Sequence, residues 1–524
     1  MELFRKANPD GVPVTVTGDS RNFVHIATLF RMTSTPDNLA TASTDAIDTP
    51  EWVKDAVFYQ IFPDRFAKSE QVYKPSGLES WDSPPTVYGY KGGDLLGVVE
   101  HLDYLQDLGI TALYFNPIFQ SAANHRYHTH DYFKVDPLLG GNRALRELLD
   151  AAHERDMKVV LDGVFNHASR GFFQFNDLLE NGDESPYQDW FHIHKFPLNA
   201  YGEGERGYDA WWNLPALPKF NTDTDAVREY LWGVGTHWLE FGIDGWRLDV
   251  PEEIDDDAFW QEFRRRCRAV NPECYIVGEI WQDATRWLQG DQFDAVMNYP
   301  FTRAAFGFVA QSIDQEEIKK SGYKHIPKLD APTFAQEVEK EVLKHAKAIN
   351  DAQLNLLGSH DTPRVLTVVE EDESALRLAL LLLFSFPGAP CIYYGDELGL
   401  TGGHDPYCRQ AMPWEYEESW NEGVLEYTRH LIQCYHAQAA LRRGTLKVLH
   451  AAEGAVAFVR EWEGERVVGV VNTSEQTVDL GITLESSAKT CHDLLGDISA
   501  SVSDGQLQAN IPPRSGTLFR LEGQ

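Results

Sequence analysis

Short apolar runs alternate with amphipathic stretches over most of the chain. In "LLGVVEHLDYLQDLG" and "NRALRELLDAAHERD" the apolar residues recur at helical spacing, which predicts helices that pack by one face. Between such stretches lie short apolar runs typical of buried parallel strands. The runs cover residues 56–63, 111–119, 158–167, 243–250, 274–281, 293–300, 354–364 and 390–400. Eight strand–helix repeats predict an α/β fold of the (β/α)8 TIM-barrel type rather than an open doubly wound sheet.

Two segments interrupt this alternation. Residues 168–220 follow the third run and are rich in aromatic residues, Gly and Pro, so we predict an insertion (B domain) on the face of the barrel where active sites lie. After residue 443, "AVAFVREWEGERVVGVVNTSEQTVDLGITL" alternates with period two and contains turn signals, which predicts a C-terminal all-β sandwich. The predicted domains are a short N-terminal segment (1–50) with one strand in "FVHIATLF" (23–30), a barrel (51–443) that includes the insertion, and the sandwich (444–524).

Composition limits the partners. The 524 residues carry a net charge of −34, which argues against nucleic acid and against docking on anionic membranes, whereas a neutral polyhydroxylated substrate would be indifferent to it. The six cysteines show no zinc-ligand spacing, no apolar run is long enough to span a bilayer, and the N-terminus does not resemble a signal peptide. We therefore predict a soluble, cytoplasmic protein with no nucleic acid and no membrane partner.

Polar residues gather at the carboxyl ends of the apolar runs, although strands buried on both faces should be almost wholly apolar. A single such residue could be a satisfied buried pair or a helix cap. The carboxyl ends of barrel strands meet at one mouth, however, so three carboxylates, two histidines and an arginine converging there predict an active site. The three carboxylates are Asp249, Glu279 and Asp361, and with them are His167, His360 and Arg247. The polar residues by run are Asp162, Asn166 and His167 on the third, Arg247 and Asp249 on the fourth, Glu279 on the fifth, and His360 and Asp361 on the seventh.

Two carboxylates that flank a glycosidic bond can hydrolyse it, one as nucleophile and the other as proton donor. Arg247 should keep Asp249 ionised, which suits a nucleophile. Glu279 has apolar and aromatic neighbours in sequence, so desolvation should raise its pKa to suit a general acid. His360 and Asp361 could bind sugar hydroxyls and stabilise the transition state. Four aromatic residues are candidates either to stack on sugar rings or to pack in the core: Tyr127, Trp211, Trp212 and Trp281.

These motifs resemble those of the α-amylase family of glycoside hydrolases (family 13). "DGVFNH" (162–167), "GWRLDV" (245–250), "GEIW" (278–281) and "LLGSHDTPR" (356–364) occur in the order found in the family. The resemblance implies that Asp249 is the nucleophile, Glu279 the general acid/base and Asp361 the transition-state stabiliser. It also implies that Tyr127, His167, Arg247 and His360 bind the sugar at the reaction centre.

Finer features are similar to the group of neopullulanases, cyclomaltodextrinases and maltogenic amylases. They are "LPKFN" (217–221), Trp281 directly after the acid, and "GGHDPYCRQAMPW" (402–414). By this resemblance Trp281 would bind substrate, and Asp405 and Arg409 would hold sugars on the glycone side.

The resemblance implies a substrate of α-1,4-linked glucans: maltodextrins, cyclodextrins, pullulan or starch. It implies cleavage through a covalent glucosyl-enzyme intermediate, with transglycosylation as a side activity. Alternatives within the family are an α-glucosidase, an α-1,6-acting enzyme and a glucosyltransferase. An alternative of another class is a non-catalytic glycan-binding relative, which should have lost catalytic carboxylates that this chain retains.

The chain departs from that group in three places. Only about 50 residues precede the barrel, where the group carries an N-terminal β-domain that helps to build a dimer, so we expect a monomer or a dimer built differently. The loop "AKSEQVYKPSG" (67–77) leaves Asp94 as the one obvious carboxylate where the group's calcium loop is rich in Asp and Asn. Calcium needs six to eight oxygen ligands, so we predict no metal and no cofactor. "DVPEE" replaces "DVANE", with Pro251 and Glu252 directly after the nucleophile strand.

Overall fold

A computed structural model describes residues 47–486, 488–496 and 498–523. The strand predicted at 23–30, and the N-terminal segment up to residue 46, lie outside the described residues.

Parallel strands form the barrel. Their order is β8-β7-β6-β5-β2-β1-β10-β9, and a parallel bridge from Met297 to Leu354 joins the two outer strands into a closed ring. The predicted eight-stranded barrel is therefore confirmed. The strands, in chain order, are β1 Phe58–Ile61, β2 Ala112–Phe115, β3 Phe119–Ser121, β4 Thr129–Val135, β5 Lys158–Gly163, β6 Gly245–Leu248, β7 Tyr275–Gly278, β8 Ala295–Val296, β9 Leu354–Leu356, β10 Ala389–Tyr393, β11 Thr445–Ala452, β12 Ala455–Trp462, β13 Glu465–Asn472, β14 Val478–Thr483, β15 Thr490–Asp493, β16 Ala500–Ser503, β17 Gln506–Ile511 and β18 Ser515–Glu522.

Amphipathic helices surround the barrel. The second predicted stretch forms α4, which buries Leu145, Leu148 and Leu149 at helical spacing. The first stretch forms two helices, α2 (Leu95–Glu100) and α3 (Leu102–Leu108). The helix is interrupted at His101, because the His101 ring nitrogen Nδ1 lies 2.8 Å from the Gly97 carbonyl oxygen, which would accept from the His101 backbone N–H in a continuous helix. The helices are α1 Pro63–Phe66, α2 Leu95–Glu100, α3 Leu102–Leu108, α4 Gly141–His153, α5 Phe173–Asn181, α6 Asp225–Phe241, α7 Asp257–Val270, α8 Tyr299–Val309, α9 Gln315–Ile318, α10 Ala331–Lys344, α11 Lys347–Ala352, α12 Val365–Val368, α13 Glu373–Ser385, α14 Glu422–Ala437 and α15 Ala439–Arg443.

A hairpin follows β2 that the sequence pattern does not predict. Its strands β3 and β4 pair antiparallel, and the turn between them contains Arg126 at φ 62. The buried Arg126 guanidinium donates from Nε to Asp136 Oδ2 (3.0 Å) and from Nη1 to the Asn124 carbonyl oxygen (2.6 Å). These contacts offset the strain of the left-handed backbone conformation at Arg126, and they fix the position of the next residue, Tyr127.

The insertion after β5 contains α5 and irregular turns, and backbone hydrogen bonds attach its end to the barrel. Ala168 N–H donates to the Pro218 carbonyl oxygen (3.0 Å), and Phe220 N–H donates to that of Asn166 (3.1 Å). The segment around "LPKFN" is therefore fixed against the loop that leaves β5.

The C-terminal domain is a sandwich of two antiparallel sheets, as predicted. One sheet has the order β11-β12-β13-β18-β15 and the other β14-β17-β16. Apolar side chains of both sheets, among them Val468, Leu480, Leu507 and Phe519, form the core between them. Alternation along each strand directs these residues inward.

One buried arginine links the sandwich to the barrel. Arg460 on β12 is fully buried; its Nη1 donates to the carbonyl oxygen of Ser385 at the end of α13 (2.7 Å). Its Nη2 donates to the Gly444 carbonyl oxygen between the domains (2.9 Å). The guanidinium thus satisfies two carbonyl groups that have little access to water.

We expect Arg460→Met to destabilise the folded chain by about 3 kcal/mol, because it leaves buried carbonyl oxygens without donors. Urea unfolding followed by tryptophan fluorescence measures this as a lower midpoint. Arg520→Ala, on strand β18 of the same sheet, where the side chain is 40% exposed, is the matched control and should change the midpoint little. Equal midpoints for the two variants would contradict the linking role.

Candidate active site

The ends of four barrel strands bring the predicted polar residues together. Asp162 on β5 pairs in register with Arg247 on β6, and Glu279 directly follows β7. The close approach of β6 to β7 depends on Gly245, since a Cβ at this residue would lie 2.4 Å from the Tyr275 carbonyl oxygen on β7. Arg247 and Asp162 are almost completely buried.

Three carboxylates share the guanidinium of Arg247. Its Nη1 lies 2.9 Å from both oxygens of Asp162 and 3.1 Å from Asp249 Oδ1. Its Nη2 lies 2.9 Å from Glu279 Oε2. One buried cation therefore holds the proposed nucleophile and the proposed acid side by side.

Burial and the shared cation act in opposite directions on the protonation of this cluster. Burial raises the pKa of Asp249, Glu279 and Asp162, the last to about 6, and Arg247 opposes the rise in each. The raised pKa predicted for Glu279 agrees with this. Arg247 favours the charged form of Asp249, as expected, but burial and the charges of Glu279 and Asp162 act against it.

Asp361 belongs to a second group of charges at the mouth. Its carboxylate lies 3.2 Å from His360 Nε2 and 3.3 Å from Arg409 Nη2. Arg409 Nη1 lies 3.0 Å from Asp405 Oδ1, and its Nε donates to the His360 carbonyl oxygen (2.8 Å). Asp361 is 35% exposed, whereas Asp249 and Glu279 are nearly buried, so Asp361 is the most accessible of the three predicted catalytic carboxylates.

A chain of neutral groups connects His360 to Asp162. His360 Nδ1 faces the amide nitrogens of Gln60 (3.1 Å) and Asn116 (3.0 Å), so it accepts and Nε2 carries the proton. His360 Nε2 lies 2.7 Å from the Tyr127 hydroxyl, which donates to Asp162 Oδ2 (2.8 Å). Burial, Arg409 and Arg247 lower the pKa of His360 well below its usual value, which keeps the ring neutral.

Sequence reasoning missed Gln60 and Asn116. Both are polar residues in apolar runs, at β1 and directly after β2, which is the signal that identified the other site residues. Tyr114 was also missed; its hydroxyl donates to Asp162 Oδ2 (3.1 Å), but a tyrosine in a strand carries no such signal.

Besides Arg247, two groups hold Glu279. The Trp281 indole N–H donates to Glu279 Oε1 (3.0 Å), and the Val250 backbone N–H donates to Oε2 (3.3 Å). Val250 has φ 36, which is unusual for a β-branched residue and is found where a site constrains the backbone. Trp281 stacks on Tyr299 at 3.6 Å between ring centroids, so one face of the indole is already covered.

His167 begins a stack of three rings. Its ring lies 5.0 Å from Trp211, and Trp211 lies 4.8 Å from Trp212. Burial lowers the pKa of His167 to about 3, so its imidazole is neutral.

Comparison with known proteins identifies the family. Residues 60–442 match the α-amylase catalytic domain. The chain belongs to the α-amylase family of glycoside hydrolases. It is 42% identical to a cyclomaltodextrinase of Geobacillus thermopakistaniensis (strain MAS1) over 482 residues, 91% of this chain and 79% of that protein.

Two solved structures are similar over their whole length. A protein of Thermus thermophilus (Ttha1563) has 46% identity and a TM-score of 0.86, with 90% of this chain and 100% of that chain covered. The debranching enzyme of Nostoc punctiforme, soaked with acarbose, has 47% identity and a TM-score of 0.82, with 90% and 99% covered.

The turn that follows Asp249 in this α-amylase family member is acidic. Pro251–Glu253 forms a 3-10 turn, in which burial and the charge of Glu279 raise the pKa of Glu252 to about 7, burial being the larger cause. Glu253 Oε2 lies 2.8 Å from Lys219 Nζ of "LPKFN". This ion pair joins the insertion to the turn that follows Asp249.

Asp94 has protein partners for its carboxylate. It accepts from the N–H groups of Gly97 (2.8 Å) and Ser69 (2.9 Å), and Lys74 Nζ lies 2.7 Å away. An ammonium group in this position is unsuited to a calcium ligand set. Within 47–523, apart from the two undescribed positions, no cluster of three or more His, Cys, Asp or Glu is arranged to hold a metal. That the enzyme needs no metal and no cofactor stays a prediction.

No helix in the described part of the chain has the length and apolar character needed to cross a bilayer.

We expect Trp281→Phe to move the alkaline limb of the kcat/KM pH profile upward by about half a unit to one unit. The indole N–H stabilises the charged form of Glu279 and so holds its pKa down. Without it the pKa of Glu279 rises, and the protonated acid persists to higher pH. Tyr299→Phe keeps the stacked ring and should leave the limb in place. A limb that stays fixed or moves down in Trp281→Phe would contradict this contact.

Proposed function

We propose that the protein is a retaining α-glucan hydrolase that cleaves α-1,4 bonds, with Asp249 as nucleophile and Glu279 as general acid/base. The supporting observation is that both carboxylates approach adjacent nitrogens of one buried guanidinium, that of Arg247. Retaining glycosidases need two carboxyl groups roughly 5 Å apart, and side-by-side contact with one guanidinium suits that spacing.

The electrostatics of the mouth suit the proposed steps. Glu279, whose pKa is raised, holds the proton that it gives to the leaving oxygen while Asp249 attacks the anomeric carbon. With Glu279 protonated, the carboxylates of Asp162 and Asp249 still outnumber the single positive charge of Arg247, and this negative potential complements the positive charge of an oxocarbenium-like transition state. Water then releases the glucosyl group from Asp249, with Glu279 now acting as base; a sugar hydroxyl in place of water gives transglycosylation.

Asp361, His360 and Arg409 are proposed to bind the sugar at the reaction centre. Asp361 is exposed enough to reach a hydroxyl, and Arg409 and His360 fix its orientation. Asp405, which pairs with Arg409 and is 47% exposed, extends this polar edge on the glycone side. Tyr127, placed by the Arg126 turn, lies against the His360 ring with their centroids 5.4 Å apart.

The substrate class is proposed from the relatives. The similarity to a cyclomaltodextrinase supports α-1,4-linked substrates: maltodextrins, cyclodextrins, pullulan or starch. A second candidate is cleavage of α-1,6 branch points. It is favoured by the similarity to the Nostoc debranching enzyme, 99% of which is covered, against 79% of the cyclomaltodextrinase.

Pullulan separates the two candidates, because it contains both linkages. Hydrolysis of its α-1,4 bonds releases panose-type trisaccharides, whereas hydrolysis of its α-1,6 bonds releases maltotriose. We expect panose-type products from pullulan and linear maltooligosaccharides from β-cyclodextrin and soluble starch, measured by ion-exchange chromatography over time.

Glu279→Gln is the control for the assignment of the acid. Its kcat on these substrates should fall at least about a thousandfold with the fold intact by circular dichroism. Maltotriose as the main product from pullulan would support the second candidate. Pullulan and all α-1,4 substrates left intact, together with consumption of sucrose, would refute both.

A further inference from the structure

Trp212 is an exposed aromatic side chain at the end of a stack that begins in the catalytic mouth. The Trp212 side chain is 70% exposed, although it lies against Trp211 at 4.8 Å with an interplanar angle of 17°. Trp211 in turn lies against the buried ring of His167 at 5.0 Å and 13°. The three rings thus form a continuous path from the site to the surface of the insertion.

The backbone holds Trp212 in an unfavourable conformation. Trp212 and Asn213 have φ 48 and 60, in the left-handed region, where a bulky residue is strained. Hydrogen bonds close the turn around them: Trp211 N–H donates to the Leu217 carbonyl oxygen (2.9 Å) and Leu217 N–H to that of Leu214 (3.0 Å). Strain and an exposed indole together indicate a binding role.

The turn is also fixed to the catalytic residues. Lys219 forms an antiparallel bridge with His167, and Ala210 forms one with Pro218. Lys219 Nζ reaches Glu253 directly after the nucleophile strand (2.8 Å). The ring stack is therefore anchored to both β5 and β6 and is preorganised for a ligand that continues out of the mouth.

Trp211 offers a hydrogen-bond donor at the same place. Its Nε1 is buried, and no described residue accepts a hydrogen bond from it. A buried indole N–H normally has an acceptor, so a hydroxyl of a bound molecule would satisfy it. An aromatic face next to a free donor is suited to a pyranose ring, which has apolar faces and a hydroxyl edge.

We propose that Trp211 and Trp212 form a subsite for a glucosyl residue of an α-glucan chain, beyond the sugar at the reaction centre. The open face of Trp212 stacks on the apolar face of the glucose ring, and Trp211 Nε1 donates to one of its hydroxyls. The subsite makes the enzyme prefer chains long enough to span both the reaction centre and the insertion. This inference rests on the proposed function.

The test compares maltohexaose with maltotriose. In Trp212→Ala the ratio of kcat/KM on maltohexaose to that on maltotriose should fall about tenfold, since one stacked ring is lost. Trp212→Phe, which retains a ring, should recover most of the ratio. Phe173→Ala is the matched control, because Phe173 is an aromatic residue of the same insertion, is 65% exposed and lies outside the stack; its ratio should equal that of the wild type. An unchanged ratio in Trp212→Ala would overturn the subsite.

Calorimetry separates the subsite from the chemistry. Maltohexaose is titrated into Glu279→Gln and into the same variant with Trp212→Ala, so binding is measured without turnover. A Kd about tenfold higher in the double variant supports the subsite even if the wild type cleaves neither oligosaccharide, which would refute the proposed function alone. Equal Kd values for the two variants would refute the subsite even if the wild type hydrolyses both.

Discussion

The site depends on one buried arginine that must serve three carboxylates. Arg247 contacts Asp162, Asp249 and Glu279 within 3.1 Å, in a part of the barrel that is almost closed to water. Burying charge is costly unless each group is paired, and here one cation faces three potential anions. A proton on Glu279, whose pKa is raised by burial, reduces this imbalance. A cluster that holds one proton and still carries excess negative charge is suited to donating that proton and then stabilising a cation.

The surrounding structure keeps these groups in place. Parallel pairing puts Asp162 beside Arg247, and the hydroxyls of Tyr114 and Tyr127 complete the partners of Asp162. Val250 adopts a left-handed conformation that directs its N–H to Glu279. The strain at Val250 is compensated by the pairing of β6, which precedes it, with β5 and β7. The insertion adds a further restraint through the pair between Lys219 and Glu253.

The sequence predicts the barrel, and it predicts which polar side chains the barrel brings together, because both depend on local pattern. Apolar runs that end in Asp249, Glu279 or His360 indicate that reactive side chains lie at the ends of buried strands. Asn116 and Gln60 are likewise polar residues in apolar runs. They were not predicted, because each is the one amide of its run and has no neighbouring carboxylate or histidine in that run. The hairpin of β3 and β4 could not be predicted, because the ion pair between Arg126 and Asp136 that stabilises its turn has no periodic signature. The electrostatics of Asp249 could be predicted only in part for a related reason: the sequence shows Arg247 as its neighbour, but not that two other carboxylates share the cation.

The covalent intermediate on Asp249 is the most direct test of this account. The enzyme can be incubated with a 5-fluoro-α-glucosyl fluoride, which forms a glycosyl-enzyme and slows its hydrolysis, then digested and analysed by mass spectrometry. The account predicts a glycosylated peptide in which the modified residue is Asp249. A label on Asp361 or Glu279, or turnover without any labelled peptide and with inverted anomeric configuration in the product, would contradict it.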